Sequence, residues 1–210
     1  MAKEKKSSII KDALILFVIT LVAGVSLGFV YELTLPAIKG QELKKQTEAY
    51  SAIYPDAAEF AADEDLTKLA EEAVTKVLEP NGLKGNTIDA AFVALDASGE
   101  KIGYVMSITS GNGYGGAITL SLGYSVDGVI QGMEIISMSE TPGFGAKANE
   151  SLFKDQFKGK KADLIEFTKS GATAENQIDA ISGATITTTA VTDAVNSGLR
   201  FINELVEAGK

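Results

Sequence analysis

The chain has 210 residues, 45% of them apolar, with 19 Lys+Arg against 28 Asp+Glu and no His, Cys or Trp. Its net charge of −9 argues against general nucleic-acid binding, which needs a basic face to neutralise phosphates. The missing Cys and His exclude disulfides, thiol nucleophiles, Cys-held zinc or iron–sulfur clusters, Ser-His-Asp triads and His-ligated haem, so redox chemistry here needs an organic cofactor.

Residues 13–31 (ALILFVITLVAGVSLGFVY) carry no charge. As a helix they span roughly 28 Å, enough for a bilayer core. Lys3, Lys5, Lys6 and Lys11 precede them, with Glu4 and Asp12. The positive-inside rule therefore puts residues 1–12 in the cytoplasm and the acidic remainder outside, with 13–31 as a transmembrane helix. A cleaved signal peptide is the alternative. The apolar run is long for one, and no clean small-residue cleavage site follows it.

Past the membrane, Pro36 is expected to interrupt the chain, with a polar helix over 39–53. Tyr54-Pro55 should end that helix, because proline pushes its predecessor out of the α region. The Ala/Glu/Leu/Lys-rich stretch 57–80 predicts another helix, so 32–80 reads as a helical membrane-proximal segment.

Residues 81–210 read as one domain. AFVALD (91–96) and KIGYVMSI (101–108) flank a turn at Ala97–Glu100. AITLSLGYS (117–125) and VIQGMEIISM (129–138) flank Val126-Asp127-Gly128, and Asp-Gly favours a tight hairpin. Two hairpins predict an antiparallel sheet of about four strands. The link SGNGYGG (110–116) is either a flexible loop or a place where a ligand approaches the backbone. Residues 149–158 look like an amphipathic helix. In 187–206, Val191, Val195, Leu199, Ile202 and Val206 form one helical stripe, widened by Ala190, Ala194, Phe201 and Leu205. The fold class is α+β: an antiparallel sheet packed with helices, preceded by one N-terminal transmembrane helix.

Two segments carry candidate chemistry. Asp179-Ala180-Ile181-Ser182-Gly183-Ala184-Thr185 runs into the last helix. Free N–H groups and the dipole at a helix start attract phosphate, and Ser or Thr there equally serves as a plain cap. Ser139-Glu140-Thr141-Pro142-Gly143-Phe144-Gly145 follows the fourth strand, and its Pro-Gly marks a turn. By itself it reads as a loop.

Taken in order, the anchor, Gly-Tyr-Gly-Gly (113–116), Glu-Thr-Pro-Gly-Phe-Gly (140–145) and Asp-Ala-Ile-Ser-Gly-Ala-Thr (179–185) resemble the FMN-binding G subunit of the Rnf electron-transport complex. The homologous C subunit of the sodium-translocating NADH:quinone reductase is similar, though generally longer. The resemblance runs over nearly the whole chain. It implies an electron-carrying flavoprotein within an ion-translocating ferredoxin:NAD oxidoreductase, not an enzyme acting alone. It implies FMN joined through its phosphate to the hydroxyl of Thr185, making this an FMN phosphoryl threonine. A flavin transferase using FAD and a divalent metal would attach it, with Asp179 helping recognition. Ser182, Gly183 and Ala184 would lie beside the cofactor. Glu140 and Thr141 would approach the flavin ring, Gly143 and Gly145 would leave room for it, and Tyr114 is a lining candidate. Phe144 stands where the family usually has Leu and still offers an apolar contact. The implied partners are other proteins of the complex, the transferase and the membrane; no resident metal is expected. A membrane-tethered non-redox module is the rival from another class, and it predicts no chromophore. A hydrolase with paired carboxylates is a third, but the spacing identifies no such pair.

Overall fold

A computed structural model describes residues 5–207 of the chain; Lys3 and Glu4, part of the basic cluster expected in the cytoplasm, lie outside the described residues. Contacts divide the chain into two units, residues 1–44 and 45–210.

In the first unit, helix α1 (Lys5–Ile53) begins and continues through Pro36 without a break. This corrects the expected interruption. Proline removes one backbone donor, and a helix with long apolar and helix-forming stretches on both sides absorbs that single loss. The segment is long and apolar enough to cross a membrane, and its large side chains from Ile9 to Leu33 are exposed. Thr20 Oγ1 donates to the carbonyls of Leu16 and Phe17, at 3.0 and 2.9 Å, so this hydroxyl is satisfied within its own helix.

In the second unit, the last turns of α1 bury Tyr50 and Ile53. The helix ends at Ile53, before Pro55, as expected. Next comes a correction. Residues Glu59–Ala62 form strand β1, inside the stretch expected to be helical. Phe60 packs on Tyr50 with ring centroids 5.5 Å apart, and β1 pairs with β2 (Asn86–Leu95) from Glu59↔Leu95 to Ala62↔Phe92. Tertiary pairing here outweighs the modest helix preference of Ala and Glu. Helix α2 (Glu64–Ala73) follows, capped by Asp63 Oδ1, which accepts from Leu66 N at 2.9 Å. A π turn over Val74–Leu78 extends it.

Both hairpins form: β2 (Asn86–Leu95) with β3 (Lys101–Ser110), and β4 (Ile118–Ser125) with β5 (Ile130–Ser137). With β1 the sheet has five antiparallel strands, in the order β1-β2-β3-β4-β5. Asp96 fixes the first turn by accepting from Ser98 N, Ser98 Oγ and Glu100 N.

The last helix, α4 (Thr185–Glu207), starts two residues earlier than the periodicity suggested. Its Val191, Val195, Leu199 and Ile202 are buried in one cluster with Met106, Ile108, Leu120 and Leu122 of the sheet. Val206 departs from the expected stripe and is exposed, while Leu205 is buried. On the opposite sheet face, Tyr50, Ile53 and Tyr54 cluster with Ala94 and Val105.

The amphipathic stretch 149–158 is not one helix. A 3-10 turn (Gly145–Asn149), a single α turn, α3 (Ser151–Lys154), and another 3-10 turn (Asp155–Phe157) replace it. Phe153 and Phe157 are both buried, edge to face at 5.7 Å, and satisfying both anchors bends the segment. Two short parallel strands, β6 (Glu166–Thr168) and β7 (Gln177–Asp179), complete the fold. Buried Asn196 of α4 holds this region, accepting from Ile165 N at 2.7 Å and donating to Ile165 O at 2.9 Å.

Candidate functional site

Strands β3 and β5 run in the same direction in the antiparallel sheet, so the segments that follow them leave from one edge. Those segments, 111–117 and 138–145, meet the start of α4. Tyr114, Glu140, Thr141, Phe144, Gly145, Gly183, Ala184, Thr185, Ile186 and Thr187 line a cleft of about 480 Å³ there. The size suits a small-molecule site. Three separate stretches of sequence thus form a single cavity.

At its floor is Glu140, only 8% exposed. Glu140 Oε1 accepts from Gly115 N at 3.1 Å, and Oε2 accepts from Thr187 Oγ1 at 2.9 Å. Glycines make room for this carboxylate. A Cβ on Gly113 would stand 2.8 Å from Oε1, and one on Gly145 would collide with Oε2. The Gly-rich link, which the sequence left open between a flexible loop and a place of close ligand approach, is approached closely by the chain's own Glu140 and by Ser139 O, which a Cβ on Gly115 would strike.

The wall opposite is the first turn of α4. Thr188 N donates to Ala184 O at 2.9 Å, the first bond of the helix, which leaves the N–H groups of residues 185–187 without intrahelical partners. Four threonines crowd this turn, and three hydroxyls are engaged. Thr187 donates to Glu140, Thr188 to Ala184 O, and Thr189 to Thr185 O. Thr188 Oγ1 also accepts from Ile181 N at 3.1 Å and so braces the loop before the helix. Thr185 is exposed and, among the described residues, its hydroxyl has no hydrogen bond. Apolar rims come from Tyr114, Phe144 and Ile186, which are 71, 54 and 53% exposed. Among the described residues, Glu140 is the one acidic or basic side chain in the lining.

Not every expected residue shares this cleft. Ser182 and Asp179 line an adjoining cleft of about 440 Å³, with Lys147, Gln156 and Ile181. Asp179 Oδ1 accepts from Ala172 N at 2.6 Å, and Asp179 N donates to Gln156 Oε1 at 2.6 Å. Gly143 occupies the turn at φ +78° and is outside the lining. Thr187 and Thr188, whose hydroxyls the sequence offers after Thr185, carry part of the geometry with Ile186, although the resemblance assigns them no role. Their signal was position: a threonine run on the first helical turn.

Against known families, residues 113–200 match the FMN-binding domain and residues 1–53 match the RnfG N-terminal region. The G subunit of the Na(+)-translocating ferredoxin:NAD(+) oxidoreductase complex of Acetobacterium woodii is 35% identical over 94% of this chain and 93% of its own length. The chain belongs to the RnfG family. The G subunit of the proton-translocating ferredoxin:NAD(+) oxidoreductase complex of Clostridium ljungdahlii is 32% identical over 96% of both chains. The solved C subunit of the Na(+)-translocating NADH-quinone reductase from Parabacteroides distasonis is 26% identical, covering 62% of this chain and 67% of that one, with a TM-score of 0.46.

FMN is the cofactor of this domain. The cleft fits it on three counts: helix N–H groups without intrahelical partners for a phosphate, exposed apolar rims for a flat ring, and beside them a hydroxyl with no partner among the described residues.

Proposed function

We propose that this chain is the membrane-anchored electron-carrying flavoprotein of an ion-translocating ferredoxin:NAD oxidoreductase complex, with FMN esterified through its phosphate to Thr185. The observation that carries the attachment is the state of the threonine run. Of the four threonine hydroxyls in the first five residues of α4, three are donated to the protein, and only that of Thr185, which lines the cleft, has no bond among the described residues.

The roles of the other residues follow from the same geometry. The N–H groups of residues 185–187 and the helix dipole favour the single negative charge of a phosphodiester. Gly183, at φ +76°, turns the chain into the helix without a side chain. Tyr114, Phe144 and Ile186 offer apolar surface to a ring and keep water from it. When bound, the flavin supplies the capacity to take up one or two electrons, which no side chain here has. Covalent attachment keeps the group on the protein where no free FMN can be assumed.

Topology is part of the proposal. Lys5, Lys6 and Lys11 at the start of α1 favour a cytoplasmic N-terminus and an extracytoplasmic flavin domain. In this reading residues 1–12, 13–31, 32–80 and 81–210 are the cytoplasmic end, the span, the membrane-proximal segment and the FMN domain. Asp179 is assigned to recognition by a flavin transferase, because it is exposed and lies on the chain just before the acceptor loop.

The test is co-expression of the full chain with a flavin transferase, followed by a denaturing gel. The reading predicts a fluorescent band for the parent and a dark one for Thr185→Ala. A dark parent band, with the transferase active on a control substrate, would remove it.

A further inference from the structure

Glu140 does more than line a wall. Its carboxylate joins two otherwise separate pieces of chain, the Gly-rich loop through Gly115 N and the first turn of α4 through Thr187 Oγ1. Thr187 is 1% exposed, so its hydroxyl has no water to turn to. Gly113 and Gly145 leave the space that each carboxylate oxygen occupies. Among the described residues no Lys or Arg forms an ion pair with Glu140, and no cation lines the cleft. A ligand in this cleft therefore meets one carboxylate that has no counter-cation in the lining and is held by two hydrogen-bond donors.

The consequence is electrostatic. A reductant delivering two electrons and one proton to the flavin ring leaves it with one more negative charge than before. A fixed anion in a poorly hydrated wall disfavours that gain and lowers the midpoint potential. Each donor to the carboxylate softens its field. Removing the charge and removing a donor should thus shift the potential in opposite directions.

We propose that Glu140 is a positioning residue that ties the Gly-rich loop to the start of α4 through Thr187 and holds the flavin's midpoint potential down. This rests on FMN occupying the cleft. Its role is separate from attachment, for which the proposal above uses Thr185 and Asp179.

The experiment uses the full chain in detergent, flavinylated by the transferase and titrated with dithionite. Gel fluorescence of the parent comes first, and a dark parent would fail the FMN reading before Glu140 is tested. Glu140→Gln keeps the shape and removes the charge, and it should raise the midpoint potential. Thr187→Val keeps the charge and removes one donor, and it should lower it. Glu175→Gln, an exposed charge outside the cleft, should leave it unchanged. If Glu140→Gln does not take up flavin, the downward shift in Thr187→Val alone supports the proposal. Shifts of the same sign in both cleft variants overturn it, as does no shift in either or a Glu175→Gln shift matching that of Glu140→Gln. A merely structural role would lower stability or flavin content without ordering the potentials by sign.

Discussion

Two glycine-bearing loops border the cleft, and they use glycine for different purposes. At Gly113 and Gly115 the space a Cβ would fill is taken by the protein itself: Gly116 O and the Glu140 carboxylate at the first, Ser139 O at the second. In 179–185 the glycine sits at φ +76° and its vacant Cβ position meets only the edge of the Phe144 ring, at 3.3 Å. The first loop is built inward to hold a carboxylate. The second is open toward the cleft and ends on a hydroxyl with no partner among the described residues. A glycine-rich stretch is thus no indicator of a ligand until what fills it is known.

The sharpest way to break this contrast is at the open loop. Thr185→Ala should abolish covalent flavin entirely, seen as loss of gel fluorescence, while Thr188→Ala should not move the label elsewhere. Next in size is the inward loop. Gly115→Ala forces a Cβ onto a backbone carbonyl that cannot rotate away, and should cost about 1–3 kcal/mol, read from urea midpoints in detergent. Gly183→Ala is milder. It strains a left-handed backbone by roughly 1–2 kcal/mol and crowds one movable ring, so the fold should survive with reduced flavin loading.

The smallest effect lies away from both loops. Burial pushes the Tyr54 phenol above its ordinary range. Below about pH 10 both folded and unfolded chains keep this proton, and stability is intact. Above it the unfolded chain releases the proton first, so stability falls with rising pH. Among the described residues the buried Tyr54 hydroxyl has no well-aligned hydrogen-bond partner. Tyr54→Phe should therefore be close to neutral at pH 8, and melts at higher pH should show less alkaline loss than the parent.

Local signals made much of this legible in the sequence. The two hairpins announced themselves through Ala97–Glu100 and Val126-Asp127-Gly128, whose turn chemistry needs no distant partner; Asp96, read as the end of a strand, adds the hydrogen bonds that close the first turn. Helix α4 was readable from its stripe, since a buried face repeats along the chain. Segment 179–185 was marked as a candidate by its place before that helix, and the family resemblance set ligand binding above a plain cap. What stayed hidden depends on distance. Strand β1 exists because Phe60 finds Tyr50 and β2, and β6 and β7 are three residues each and pair only with one another. The link from Glu140 to Thr187 spans 47 positions, and no spacing rule predicts it. Ser182, expected beside the cofactor, precedes the turn at Gly183 and lines the neighbouring cleft.

The central claim, that Thr185 holds FMN by its phosphate, is tested most directly by mass. The full chain is co-expressed with a flavin transferase, weighed intact, digested and sequenced by fragmentation. The account predicts a gain of one FMN less one water, confined to the peptide carrying Ser182–Thr189 and located on Thr185. An unmodified mass from an active transferase, or a flavin on any other residue, would contradict it.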